Sequence, residues 1–505
     1  MEIRVHRGSL TEVPCDALVV NLFEGVTVPG GATGAADQAL GGALSRWIRE
    51  AGFRGKAYET AVLPTYGRLP ARCVVLVGLG PREAFTRQRA ALVAAAAIRA
   101  AQRVRARRLA TIVHGAGIGG MEPVAAARAL VEGSLYGAYR FDRYRTAGEE
   151  ERVPVEELLV VERDEKKAAA FQEGIRIGRI LGEATNLARD LGNEPPNVLT
   201  PQELARRAQE MAQEAGLECQ VLDSHQLERL GARALLAVGS GSAHPPVMIV
   251  LRYRGRPEAS GWDLALAGKG ITFDSGGLSL KTAKDMEDMK LDMSGAAAVL
   301  AAMVALARLK PRLNVLAVAP AAENMPGGRA FRPGDILRTL SGKTIEVVNT
   351  DAEGRLILAD AVAYACQQGA ARVVDVATLT GAARIALGTQ AAALLANDEA
   401  LAAAVERAAE TAGERVWRLP SWEEYREQYR SDVADMKNVG GREGGAIIGG
   451  LIIGEAAGRT PWAHLDIAPT AWGEAKPYQD RGATGTMTRT LAQLALDLAE
   501  ALPGR

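Results

Sequence analysis

The sequence predicts an α/β protein of two domains: a smaller N-terminal α/β domain over residues 1–165, and a larger C-terminal α/β/α domain with a mixed, mainly parallel sheet over 166–505. Three observations lead there. At 505 residues the chain is longer than one hydrophobic core usually serves. Short apolar runs alternate with alanine-rich, helix-like stretches along most of its length, the pattern of repeated strand and helix units. Helical spacing over residues 163–190 then stops at N-E-P-P-N, residues 193–197, which ends a connecting helix at the entrance to the second domain.

In the first domain, D-A-L-V-V-N-L, C-V-V-L-V-G-L-G and L-A-T-I-V-H-G-A-G read as strands. The run A-L-V-A-A-A-A-I-R-A-A-Q reads as a helix, and R-V-R-A-R-R at 103–108 closes it with cations that suit its negative end. Gly78-Leu79-Gly80 after a strand has part of a dinucleotide fingerprint, but Pro81-Arg82-Glu83 comes next and the third glycine is missing. In the second domain the strands are P-V-M-I-V-L-R-Y, D-L-A-L-A-G-K-G, L-N-V-L-A-V-A-P and R-V-V-D-V-A-T-L. The most obvious helix between them is G-A-A-A-V-L-A-A-M-V-A-L-A-R-L.

Composition narrows the function classes. Sixty basic and sixty acidic residues cancel, so no global field favours nucleic acid or an anionic membrane. The four cysteines, Cys15, Cys73, Cys219 and Cys366, form no C-x-x-C pair, and neither a disulfide framework nor a structural zinc site is expected. No signal pattern precedes the first strand, and no apolar run reaches roughly 18 residues without charge. A cytoplasmic protein without a membrane segment is the expectation.

Chemistry concentrates between residues 269 and 356. In V-V-N-T-D-A-E-G-R-L, residues 347–356, Asp351, Glu353 and Arg355 are spaced two apart before an apolar run. An extended segment would project all three to one side. Ordinary ion pairing at a helix mouth accounts for the same spacing, since acidic residues favour that position. Lys269 and Asp274 lie just past a strand, Lys281 comes seven residues later, and Asp292 precedes a helix of small residues. All five histidines lie outside this segment, so a metal there would rest on oxygen ligands, which suit hard or borderline divalent ions. Spacing does not choose the ligands, because D-M-E-D-M-K-L-D also offers Asp285, Glu287 and Asp288.

N-T-D-A-E-G-R-L, with G-K-G-I-T-F-D-S-G-G-L-S-L-K at 268–281 and E-N-M-P at 323–326, resembles the leucine aminopeptidase, or cytosol aminopeptidase, family. The likeness covers nearly all of the second domain and is looser in the first. It implies a metal-dependent hydrolase that removes the N-terminal residue, leucine-like preferred, from peptides with a free N-terminus. The resemblance has Asp274 and Glu353 bridging two divalent ions, Asp351 completing one site, and Lys269 with Asp292 completing the other. Manganese or zinc is implied, with cobalt or magnesium compatible. The expected reaction uses metal-activated hydroxide, with the peptide's α-amine bound to a metal. Lys281 would then stabilise an oxyanion, and Arg355 would hold a bicarbonate that relays a proton. The first-residue pocket would map to Met289, Asn349, Thr378, Leu379, Gly381 and Ala468, although Met289 and Leu379 also read as core residues. A homohexamer is the assembly implied.

Two places depart from the family pattern. Pro469 comes after D-I-A where glycine is expected, and Thr486-Met487 come after G-A-T-G where Arg-Pro is common. Both bear on side-chain preference. The alternative from another class is a DNA-binding regulatory or architectural role, beside or instead of peptidase activity, which some bacterial family members carry; only the arginines at 103–108 speak for it.

Overall fold

The computed structural model describes residues 1–116, 119–146 and 153–502. Two compact units emerge: Met1–Asn186 with Glu474–Arg481, and Leu187–Gly473 with Gly482–Arg505. The α/β architecture with mixed, mainly parallel sheets is the one the sequence predicts.

In the first unit, β1 (Glu2–Arg7), β2 (Cys15–Phe23), β3 (Thr60–Pro64), β4 (Ala71–Gly80), β5 (Arg108–Thr111) and β6 (Glu157–Glu162) form one sheet in the order β1-β6-β5-β2-β4-β3. Every pairing is parallel except that of β3 with β4. The period-two pattern of β2 divides its side chains between two cores. Ala17 and Val19 pack with the Arg87–Arg103 and Pro123–Ala138 helices, whereas Leu18, Val20 and Leu22 pack with the Gly31–Ala39 and Ala43–Ala51 helices. The arginine run comes at the end of the Arg87–Arg103 helix, and Arg107 and Arg108 pair with Glu156 and Glu157.

The second unit carries β7 (Glu218–Leu222), β8 (Val247–Arg254), β9 (Leu264–Gly268), β10 (Gly270–Asp274), β11 (Asn314–Asn324), β12 (Ile336–Arg338), β13 (Thr344–Glu346), β14 (Val373–Ala377), β15 (Ala392–Ala396), β16 (Val416–Arg418), β17 (Met436–Lys437), β18 (Trp462–Asp466), β19 (Trp472–Gly473) and β20 (Gly482–Ala483). The main sheet runs β16-β15-β18-β14-β9-β11-β8-β7, with β10 also on β11. Its centre is parallel, and antiparallel pairing enters at β15 with β18, β11 with β8, and β8 with β7.

Strands β9 and β10 are one line interrupted at Lys269: Ala267 opposes Val318 and Gly270 opposes Ala321 in the same register on β11. A register shift between Ile271 and Phe273 then sets Asp274 opposite Asn324. Such a bulge re-aims the next side chain along the strand.

Over these strands lies the Ser294–Leu309 helix, almost all small and apolar. Its Gly295 permits the close approach, because a Cβ there would stand 2.1 Å from the Val376 carbonyl oxygen and 2.9 Å from the Lys269 nitrogen. The stretch Met289–Leu309 is long and apolar enough to cross a membrane, yet 78% of its most apolar window is buried inside the fold. It reads as a core helix.

One charge braces this unit away from any strand end. Asp360, 0% exposed on the Gly354–Gln367 helix, accepts the Leu235 amide at 2.9 Å and the Leu340 amide at 2.7 Å. The Arg233–Gly239 helix has no side-chain cap of its own, so Asp360 serves that end from across the core. Burial outweighs both amides and pushes the Asp360 carboxyl up to about 7. A carboxyl raised on folding binds more protons in the native state, so its contribution to stability is full below the ordinary carboxylate range and declines as pH rises through about 7. Asp360→Ala should cost about 2–4 kcal/mol in denaturant unfolding, because two buried amides lose their acceptor. Asp360→Asn should flatten the decline in stability that the parent protein shows between about pH 4 and pH 8.

Candidate active site

Six charged side chains converge where β9, β10 and the loop before the Gly354–Gln367 helix meet. Lys269 Nζ lies 2.7 Å from Asp292 Oδ2, 2.8 Å from Glu353 Oε1 and 2.9 Å from the Thr378 carbonyl oxygen. Lys281 Nζ lies 2.9 Å from Asp274 Oδ2 and 2.5 Å from Asp351 Oδ1. Asp274, Asp351 and Glu353 each present an oxygen within 4.8 Å of the others. Lys269, Asp274, Asp292 and Glu353 are buried, and Asp351 is partly open.

Local backbone explains the convergence. Lys269 sits at the strand interruption, where its amide donates to the Val376 carbonyl and its own carbonyl accepts from Ala296. Asp274 comes just after the bulge and accepts from the Gly276 amide and Asn324 Nδ2, both at 2.9 Å. Gly276 turns at φ +85°, with no room for a Cβ 2.4 Å from the Ser279 carbonyl oxygen. Asp292 lies in the short 3-10 turn Met289–Met293 and accepts from Thr378 Oγ1 at 2.7 Å.

The expected extended segment over 351–355 is not formed. Asp351 lies in a turn, Glu353 is the helical-region N-cap residue of the Gly354–Gln367 helix, and Arg355 is in that helix's first turn. A tight turn running into a helix brings Asp351 and Glu353 to one place by a different route, and Arg355 instead donates to the Asn438 carbonyl at 2.8 Å. Asp285, Glu287 and Asp288, equally available by spacing, are not in the group of carboxylates that meet.

Among the other expected residues, Thr378 contacts both Lys269 and Asp292, and Met289 opens the turn that carries Asp292. Asn349 Oδ1 accepts the Asp351 amide at 2.8 Å. The amides of Leu379 and Ala468 both donate to Asp466 Oδ1 at 3.1 Å, and Thr380 Oγ1 donates to Asp466 Oδ2 at 2.7 Å. Gly381 begins the helix that Thr380 caps.

Asp466 and Asn438 are the residues that sequence reasoning missed. Asn438, 0% exposed, accepts the Val348 and Asn349 amides and donates to the Asn349 and Ala352 carbonyls. It staples the turn that holds Asp351. Nothing in K-N-V-G-G marks it, because its partners lie about 90 residues earlier.

The electrostatics are those of a site with too much negative charge. Burial pushes Glu353 up to about 8, with Asp274 adding to the shift, and burial pushes Asp292 up to about 6. Asp351 is raised as well, by burial and then by Asp274. Burial works against the charge on Lys269 and Lys281, but the surrounding carboxylates more than reverse it and hold both above the ordinary lysine value. Burial also pulls Arg355 below its ordinary value. Glu353 Oε2 is buried with no hydrogen-bond partner. A cluster of carboxylate oxygens carrying excess charge, one of them unmatched, fits divalent cations with a preference for oxygen donors.

Comparison with known proteins agrees. The family description "cytosol aminopeptidase family, catalytic domain" matches residues 186–492, and that family's N-terminal domain matches residues 19–148. The chain belongs to the cytosol aminopeptidase family. It is an aminopeptidase hydrolase of a metal-dependent family. The probable cytosol aminopeptidase of Alkaliphilus metalliredigens is 45% identical, with 98% of this chain and 99% of the relative covered. That of Roseiflexus castenholzii is also 45% identical, over 99% and 100%. Among solved structures, the bottromycin maturation enzyme BotP in complex with Mn is 39% identical with a TM-score of 0.83, covering 96% of this chain and all of that one. A tomato leucine aminopeptidase mutant is 34% identical with a TM-score of 0.88, over 98% and 96%.

The staple is open to a direct check in this cytosol aminopeptidase. Asn438→Ala removes the side-chain partner of the Val348 and Asn349 amides and of the Asn349 and Ala352 carbonyls, and should cost about 2–4 kcal/mol in denaturant unfolding. Peptidase turnover should fall by about tenfold or more as the turn bearing Asp351 loosens.

Proposed function

We propose that this aminopeptidase removes the N-terminal residue, preferably leucine-like, from peptides by means of two divalent ions held by Lys269, Asp274, Asp292, Asp351 and Glu353. The observation that carries the reading is the convergence of four carboxylates around two lysines, with Glu353 Oε2 buried and unmatched. Fully ionised, the four carboxylates against two lysines would leave the cluster two charges negative, and burial resists that excess, in keeping with a Glu353 carboxyl pushed up to about 8. Two dications would reverse the imbalance, and Lys269 would then join the set as a neutral amine. Bound ions of this kind lower the pKa of water and polarise a carbonyl.

The chain's own groups do the rest. Lys281 keeps its ammonium charge at the edge of the cluster and stabilises the oxyanion that develops at the scissile carbonyl. Arg355 cannot act as a base; by the family resemblance its buried guanidinium would hold a bicarbonate, which would supply a proton-accepting group there. Met289, Asn349, Thr378, Leu379, Gly381 and Ala468 form the first-residue pocket, with Asp466 holding Leu379 and Ala468 in place through their amides. Manganese is favoured by the relative solved with Mn, and zinc, cobalt and magnesium suit the same donors. A cytoplasmic homohexamer is the assembly proposed. The DNA-binding reading gains nothing, since Arg107 and Arg108 are already paired with glutamates.

Chelator-stripped protein should hydrolyse leucine p-nitroanilide only after manganese or zinc is restored, and should leave the N-acetylated substrate intact throughout. Asp351→Asn should keep the fold, bind less metal and lose at least about 100-fold in activity; an unimpaired variant would remove Asp351 from the ligand set. Depleting and then restoring bicarbonate should change the rate of the parent enzyme and leave Arg355→Ala indifferent. An equal response in both would show that Arg355 does not hold the anion.

A further inference from the structure

The first unit contains a cavity of about 310 Å³ that has no part in the peptidase site. It is walled by residues 8–11 after β1, the first turns of the Gly31–Ala39 helix, residues 112, 113 and 116 after β5, and residues 161–171 from the end of β6. These walls all stand at the carboxyl ends of parallel strands. The chain leaving β2 passes to one face of the sheet, where Ala36 packs with Leu18 and Val20. The chain leaving β5 passes to the other, where Ala126 and Leu130 pack with Ala17 and Val19. Because β2 and β5 are neighbours, the crevice opens at a topological switch point, where open α/β sheets bind their ligands.

A buried polar pair lies behind the crevice wall. His114, 1% exposed, lies between the lining residues Val113 and Ala116, and its Nδ1 is 2.8 Å from Asn21 Nδ2 at the end of β2. The amide nitrogen can only donate, so Nδ1 accepts and the proton sits on Nε2. Burial holds the ring neutral, with its pKa lowered to about 4. Nε2 is therefore a buried N–H donor, and among the described residues it has no acceptor.

The polar groups around the cavity indicate the ligand class. Arg163 and Lys167 supply positive charge, and Ser9 Oγ fixes the Arg163 guanidinium by accepting its Nη2 at 2.6 Å. Gly30 caps the Gly31–Ala39 helix without a side chain, so the positive end of that helix is open to an anion. Glu162 also lines the cavity. It accepts the amides of Arg163 and Asp164 through one oxygen, and its carboxylate suits the hydroxyl donors of a sugar. Ile112, Val113 and Phe171 give an apolar wall.

We propose that the first unit binds a small phosphorylated sugar ligand of mononucleotide size in this cavity. Arg163, Lys167 and the open helix end take the phosphate, Glu162 takes the sugar hydroxyls, and the apolar wall takes the base. The peptidase reading is independent of it, because none of these residues belongs to the second unit.

Isothermal titration calorimetry of the full chain with adenosine monophosphate, adenosine and inorganic phosphate tests the assignment. The monophosphate should bind, and adenosine and phosphate should each bind at least about tenfold more weakly. Arg163→Ala with Lys167→Ala should weaken the monophosphate by about tenfold or more. Ala35→Trp, which places a ring at an exposed position of the lining, should abolish binding. Both variants should keep the parent's far-UV circular dichroism and every unfolding transition of the parent, which shows that the first unit is folded, and should hydrolyse leucine p-nitroanilide at the parent rate. Absence of binding at about 5 mM monophosphate overturns the proposal. So does equal affinity for the monophosphate and either fragment, or unchanged affinity in the folded charge variant.

Discussion

Four carboxylates and two ammonium groups held out of water in one small space form the constraint on which the catalytic unit depends. Each charge would be costly alone, and Lys269 and Lys281, each within 2.9 Å of two carboxylates, make the cluster tolerable without neutralising it. Burial, with Asp274 adding to it, holds Glu353 and Asp292 above the ordinary carboxylate range. A buried cluster with this make-up suits the metal dependence of the family to which the chain belongs.

Much of the second unit serves to hold the cluster. The break between β9 and β10 frees Lys269 from the regular ladder while its backbone stays bonded to β14 and to the start of the Ser294–Leu309 helix. The bulge before Asp274 sets it against Asn324. Asn438 and Asp466 are the opposite kind of support: buried, fixed and reaching across the sheet to tie loops that would otherwise be free. Substitutions at these residues are expected to act through geometry, because neither belongs to the group of carboxylates that meet.

The first unit is built on a different plan. Its sheet comes from the same strand and helix alternation, but its cavity lies where β2 and β5 send the chain to opposite faces. Two cations at the end of β6 and an uncapped helix start give that crevice chemical character that packing alone does not require.

The sequence by itself determined the α/β class and the family, because strand periodicity and helix composition are local and N-T-D-A-E-G-R-L is a contiguous signature. It also singled out Lys269, Asp274, Asp292, Asp351 and Glu353, although only the resemblance separated them from Asp285, Glu287 and Asp288. Tertiary structure decided how they meet. The extended segment expected at 351–355 gave way to a turn entering a helix, since the Asn438 side chain bonds both the amides and the carbonyls of that turn. Asp466, Asn438, Asp360 and the His114–Asn21 pair were beyond the sequence for one physical reason. Their partners are brought close only when distant strands and helices pack, and a pattern along the chain carries no record of which distant backbone amide a buried side chain will find.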